Sequence, residues 1–293
     1  MGRILKYVLI GLLLSFFAES IRAQQMPQFS QFMENKFLLN PALAGTTRSY
    51  EIRSINRFQW VGFADAPQTY TLSVCGPAKK KPMGFGAYVY SDILGPTSRT
   101  GLSGSYAYNI AINEDLRLSG GISLGLQSFS FDGSKLRFGD NVTDPALNNG
   151  SKRTSLIPDV SVGLFAYSSS YYGGLSVHQL IGTSDNQAVQ HFYLTAGYIY
   201  FLNSDITMIP SLMVKFAYPS SPQPELNIKG IYDSRIWAAV TFRTFDSVGI
   251  MGGYIHENRY YFGYSFDFSY NALSKYNSGS HEIMVGVKFD AIK

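Results

Sequence analysis

The chain is poor in cysteine, in charge and in long apolar runs, and each scarcity removes a class of protein. A single cysteine, Cys75, in 293 residues cannot close an internal disulfide, so the fold does not rest on disulfide staples. Charged residues are only 15% of the chain, the formal net charge is +4, and the one local basic run is Lys79-Lys80-Lys81. A nucleic-acid partner would call for a basic stripe or a recognised binding motif, and neither accompanies that run. The four His residues are scattered, without close acidic pairing or a Cys cluster, so no metal site is expected. Asp132, Asp140 and Asp144 lack the closing Glu of a calcium loop, and no cofactor is expected either. Past residue 23, no stretch is apolar enough for a membrane helix.

What the chain has is alternation. From Arg259 to Tyr270, the residues Tyr260, Phe262, Tyr264, Phe266, Phe268 and Tyr270 share one parity, while Tyr261, Gly263, Ser265, Asp267 and Ser269 take the other. Period two is a strand period, so one face is aromatic and the other mostly small or polar. A soluble sandwich would bury the aromatic face, whereas an outer-membrane barrel turns it to lipid and keeps the small polar face in the lumen. The extreme N-terminus favours export: Arg3 and Lys6 precede the apolar stretch Tyr7 to Phe17, and Ile21-Arg22-Ala23 precedes Gln24. That is the pattern of a signal peptide over residues 1–23, cut after Ala23, with no Cys nearby to carry a lipid anchor. The 28 Gly, 21 Tyr and 21 Phe agree with a barrel, and so does a mean hydropathy near zero, because half of each strand is polar.

Strands are predicted near 49–57, 69–75, 83–91, 101–111, 115–131, 158–168, 171–177, 189–202, 205–217, 224–232, 235–244, 247–256, 259–270 and 280–289. The fold class is therefore all-β: a transmembrane antiparallel β-barrel of about 14 strands over 49–293, preceded by a non-barrel segment at 24–48 that is either a periplasmic docking segment or a plug. An even count predicts both termini in the periplasm. Short connections, such as Asn203-Ser204, Asp233-Ser234 and Glu257-Asn258, are assigned to that side. The longer ones, Phe58 to Gln68, Asp92 to Thr100, Asp132 to Ile157, Gln179 to Ala188 and Asn271 to Gly279, are assigned to the surface. The turns at Gly76 to Pro82 and Phe245 to Ser247 break this rule.

Barrel enzymes of the outer membrane need a His with Ser or Asp partners at a strand end. Ser176 and His178 lie near a surface rim and Asp185 in the next loop, but Ser and Asp are common in such loops and chance proximity explains them. The chain is expected not to be an enzyme. A porin-like passive or substrate-specific channel is the stronger competitor, since lumen-facing residues such as Ser103, Ser105 and Ala107 are too small to fill the space. Either the N-terminal segment or the Asp132 to Ile157 loop is a candidate plug.

The N-terminal segment carries the most specific pattern. Pro27-Gln28-Phe29-Ser30-Gln31 is followed by Phe32, by Leu39-Asn40-Pro41-Ala42 with Ala44-Gly45, by Arg57 with Gln59-Trp60 and Gly62, and by Ala66-Pro67 with Thr69. This order resembles the opening of the PorP/SprF family of type IX secretion proteins of the Bacteroidetes. Gly84-Phe85-Gly86, Asp92 with Gly95, Tyr106-Ala107-Tyr108, Asp144-Pro145 and Tyr172-Gly173-Gly174 extend the resemblance to about residue 180. The resemblance implies a non-enzymatic outer-membrane protein that exports or holds a secreted surface protein, typically an adhesin, through the client's C-terminal sorting domain. It also implies contacts with other secretion components in the periplasm or outer membrane. On the residues themselves, Phe29, Phe32, Phe37 and Leu38 are too apolar for a free tail, so they pack in the lumen or on a partner. Gln28, Gln31 and Asn40 add side-chain hydrogen bonds, and Asn40-Pro41 with Gly45 makes a turn. Trp60, with Arg57 and Gln59, is either an interfacial belt residue or an anchor for the partner.

Overall fold

The computed structural model describes residues 27–79, 81–135, 152–181, 189–217 and 220–290, so the expected signal peptide lies outside the described residues. Fifteen strands follow one another. They are β1 (Ser49–Phe58), β2 (Gln68–Pro77), β3 (Met83–Leu94), β4 (Thr97–Ala111), β5 (Arg117–Asp132), β6 (Lys152–Tyr167), β7 (Tyr171–His178) and β8 (His191–Tyr198). The rest are β9 (Tyr200–Phe201), β10 (Ile206–Ala217), β11 (Gln223–Tyr232), β12 (Ile236–Arg243), β13 (Ser247–His256), β14 (Tyr260–Ser269) and β15 (Ser280–Asp290). Each strand pairs antiparallel with its neighbour, β10 pairs with β8 and β11, and β15 returns to β1 with Ser49 opposite Asp290 and Phe58 opposite His281. The ring closes on 14 strands. Two-residue β9 lies beyond β8 against β10, in the same register, and adds no stave. Closure matters because an open edge in lipid would leave amides and carbonyls unpaired at several kcal/mol each.

The parity expected of β14 is the one the barrel uses. Phe262 and Tyr264 are 49% and 47% exposed, whereas Ser265 and Asp267 are fully buried. Leu102, Leu124, Leu164, Leu226, Ile250 and Val285 continue the outward apolar band around the ring. The core is thus inside the barrel, and hydrocarbon covers the outside.

Turn chemistry separates the two ends. At one end, Asp233-Ser234 and Glu257-Asn258 have φ of 50°, 53°, 51° and 56°, the two positive values of a hairpin turn whose twist matches its strands. At the same end the Asn113 side chain accepts from the backbone amides of Asp115 and Leu116, an Asx turn. The opposite end carries the longer connections 59–67, 133–151, 179–190 and 270–279. Two boundaries differ from expectation. β3 and β4 run on to a tight turn at Gly95 (φ +54°) and Pro96, where a loop was expected from Asp92 to Thr100. β6 begins at Lys152 and not near 158, with Lys152 opposite Asp132. Backbone pairing there needs no apolar side chains, so Lys152, Arg153, Thr154 and Ser155 hide a strand from any count of hydrophobic alternation. Of the expected loop plug, residues 136–151 lie outside the described residues.

Residues 27–47 cross the lumen. Gln28 donates no strand pairing but bonds Lys215 near the long-connection end, and Ala44 and Gly45 press on Gly84 near the short-turn end, where β1 begins. An even strand count predicts both ends of the chain on one side. The described chain instead starts at the long-connection end and finishes, at Asp290, at the short-turn end, because this segment adds one more passage through the barrel.

Candidate functional site

The segment inside the barrel is built from two tight turns. Residues Lys36–Leu38 and Pro41–Leu43 form single 3-10 turns, and the Asn40 side chain caps the second by accepting from the Ala42 amide at 2.9 Å. Pro41 takes the first helical position, where its missing N–H costs nothing. Phe29, Phe32, Phe37, Leu38 and Leu39 are all buried against the wall. The wall makes room by omitting side chains: a Cβ on Gly163 would strike the Asn40 side chain, and one on Gly84 the Ala44 carbonyl. Gly45, at φ +71°, holds the left-handed turn that delivers the chain to β1.

A segment without strand partners must still pair its polar groups, and the wall provides them. Leu39 O accepts from Ser176 Oγ (2.5 Å) and His178 Nε2 (2.7 Å), and Ala42 O accepts from Ser119 Oγ (2.6 Å). Asn40 Nδ2 donates to Leu164 O at 3.0 Å and Asn35 Nδ2 to Ser73 Oγ at 2.8 Å. Ser176 and His178 therefore hold the plug's backbone, and Asp185 lies outside the described residues.

The strongest grip is ionic. Glu282 accepts from the backbone amides of Ser30 (2.9 Å) and Gln31 (2.8 Å), and Asp267 accepts from Ser30 Oγ (2.5 Å). Arg57 binds all three groups, reaching Ser30 Oγ at 2.8 Å, Glu282 at 3.2 Å and Asp267 at 2.7 Å. Arg243 stands behind it on Glu225 (2.9 Å) and Asp246 (3.0 Å). Deeper in the lumen, Glu34 pairs with Lys229 and lies 3.7 Å from Arg53. Lys36 sits 3.5 Å over the Tyr172 ring.

The residues singled out from sequence fall into two places. Phe29, Gln31, Phe32, Asn40, Pro41 and Gly45 are in the lumen, and Arg57 reaches them from β1. Gln28, Gln59 and Trp60 instead meet at the long-connection mouth, around a cavity of about 320 Å³ shared with Asp92 and Arg99. Trp60 holds φ +51°, and its amide donates to Ser280 Oγ at 3.1 Å, so it is fixed in the loop as part of the mouth. Sequence reasoning missed Ser30, Glu34, Glu225, Lys229, Arg243, Asp267 and Glu282. A signal for most of them existed: five are ionisable residues at lumen parity inside alternating strands, where a charge is costly without a partner.

A closed antiparallel barrel with an apolar exterior and a charge-lined interior is an integral outer-membrane β-barrel protein. The chain belongs to the PorP/SprF family of type IX secretion system membrane proteins, whose family model matches residues 21–287. Among solved structures it is similar to the Pseudomonas putida toluene transporter TodX, at 10% identity and TM-score 0.52, over 87% of this chain and 93% of that one. The Ralstonia pickettii toluene transporter TbuX is comparable, at 11% identity and TM-score 0.51, over 87% of this chain and 92% of that one. At such identity the likeness is one of fold. No curated protein matches the sequence.

Proposed function

We propose that this protein is a non-enzymatic outer-membrane component of type IX secretion. It binds or anchors an adhesin-like surface protein, through the client's C-terminal sorting domain, at the long-connection mouth. Its short-turn mouth faces the periplasm and contacts other secretion components. The observation that carries this reading is the seated plug: a lumen filled from Ser30 to Gly45 and bonded to the wall on several sides suits a docking platform better than a diffusion channel. Gln28, Gln59 and Trp60 are the direct contacts in this reading. Phe29, Gln31, Phe32, Asn40, Pro41, Gly45 and Arg57 hold the surface that presents them. Purification from the native membrane tests it: a large surface protein is expected to come out with the barrel, and recovery of the barrel alone or as a homo-oligomer would favour a porin.

Trp and Arg dominate interface hot spots, and truncating such a Trp costs about 2 kcal/mol, roughly 30-fold in affinity. Trp60→Ala is therefore expected to reduce surface display of the client while the barrel still assembles. Loss of the barrel itself would show that Trp60 only supports the wall. Sidedness is checked separately, with a tag in the 270–279 connection that should be reachable on intact cells and one at Glu257-Asn258 that should not. Equal labelling of the two would sink the orientation.

A further inference from the structure

At the short-turn end, the plug leaves the lumen through Gly45 to Arg48, and beside that exit lies a cavity of about 550 Å³. Its walls are the plug's last residues, the β2–β3 turn and the inward faces of β4, β5 and β6. Four cationic side chains line it, Arg48, Lys79, Lys81 and Arg117, and among the described residues no carboxylate does. All four are exposed and none forms an ion pair among the described residues. Elsewhere in this barrel, Arg53, Arg57, Lys229 and Arg243 are each matched to a carboxylate. What marks this place is that four such cations line one cavity to which no described carboxylate contributes. Asn109, 3% exposed, forms part of the wall; its Oδ1 accepts from Tyr167 at 3.3 Å while its Nδ2 has no acceptor. A buried amide donor without a partner costs about 1–3 kcal/mol, and Asn109 carries that cost in the wall of this cavity.

We propose that this cavity binds a carboxylate-bearing peptide segment of a partner protein, with the four cations taking its acidic side chains. The lining also holds Pro77, Pro82 and Met83, an apolar floor that suits the aliphatic parts of a peptide and offers nothing to a bare anion. Asn109, Arg117 and Tyr167 share the lumen-facing parity of their strands, so the cavity opens from within the mouth and not onto the lipid-facing band. That placement favours a protein segment over a phospholipid headgroup. Only the source of the partner, the periplasm, rests on the orientation in the proposed function. The binding itself does not, and neither does it depend on a client at the other mouth.

The test uses the full-length protein in detergent and a fluorescein-labelled hexapeptide of alternating aspartate and glutamate. Anisotropy should report binding that weakens with salt, and the matching asparagine–glutamine hexapeptide should bind about tenfold or more weakly. Arg48→Gln combined with Arg117→Gln should weaken the acidic peptide by about tenfold or more, with heat-modifiable mobility showing that the barrel is intact. Asn109→Ala is expected to weaken it less. Equal binding of the two peptides, or of parent and double variant, would overturn the proposal. Displacement by low-millimolar inorganic phosphate would reassign the cavity to phosphate, and loss of peptide binding in nanodiscs of anionic phospholipid would reassign it to a headgroup; either outcome refutes the peptide. Failure of client co-purification with intact peptide binding would count against the proposed function alone.

Discussion

Arg57→Ala is expected to destabilise the barrel by about 3–5 kcal/mol, the cost of removing one partner from a buried ion pair. The Arg57 side chain is 3% exposed and serves Ser30, Asp267 and Glu282 together. Without it, the carboxylates of Asp267 and Glu282, on the adjacent strands β14 and β15 and with 1% and 0% side-chain exposure, lose the cation they share. Arg243 lies 3.6 Å from Asp267 and already serves Glu225 and Asp246, so it cannot take over both. The measurement is the urea midpoint of the refolded barrel in lipid vesicles, read by heat-modifiable mobility. Arg57→Lys keeps the charge but loses the two-pronged geometry, and should fall between. If Arg57→Ala unfolds within about 0.5 kcal/mol of the parent, as a surface substitution would, the cluster is hydrated and the plug is held by packing alone.

Deleting Gln24 to Asn35 while keeping residues 1–23 should convert the filled barrel into a leaky one. The deletion takes Phe29 out of its cluster with Tyr88 and Trp237, Phe32 out of its cluster with Tyr193 and Met213, and Ser30 out of the ion cluster, which leaves that part of the lumen unfilled. Swelling of proteoliposomes in small sugars should rise from background to a clear rate. Gly163→Val provides a second variant with the whole chain present, because its Cβ enters the space of the Asn40 side chain and should unseat the segment. Secretion of the client is read in parallel. Failed secretion with normal barrel levels and no new permeability would make the segment a docking element; leakage with secretion intact would make it a plug only.

The wall was legible in the sequence because its physics is local. Alternation from Tyr260 to Tyr270 assigns lipid and lumen faces without any partner being known, and the turn residues at Asp233-Ser234 and Glu257-Asn258 mark where strands stop. The interior was not legible in the same way. Residues 27–47 make single turns with no period to detect, and their partners are distant: Ser30 bonds Glu282 across 252 positions. Phe29, Phe32, Phe37 and Leu38 announce burial but not where, since a lumen and a partner surface are equally apolar to a side chain. Glu225, Arg243, Asp267 and Glu282 each look isolated in their own strands; pairing sets Glu225 opposite Arg243 and puts Asp267 and Glu282 on adjacent strands, and closure of β15 onto β1 adds Arg57.

Closure also joins two events that are separate in most sheets. The ring's two ends meet where β1 pairs with β15, and Arg57 stands directly opposite Glu282 across that seam. The same two residues clasp Ser30 and Gln31. Before β15 arrives, the leading segment has no carboxylate to receive its amides; once β15 is zipped to β1, the acceptor is complete. The start of the described chain is thus bonded to its end, and a barrel that stalls one strand short is expected to be recognisable by a leader still hanging loose.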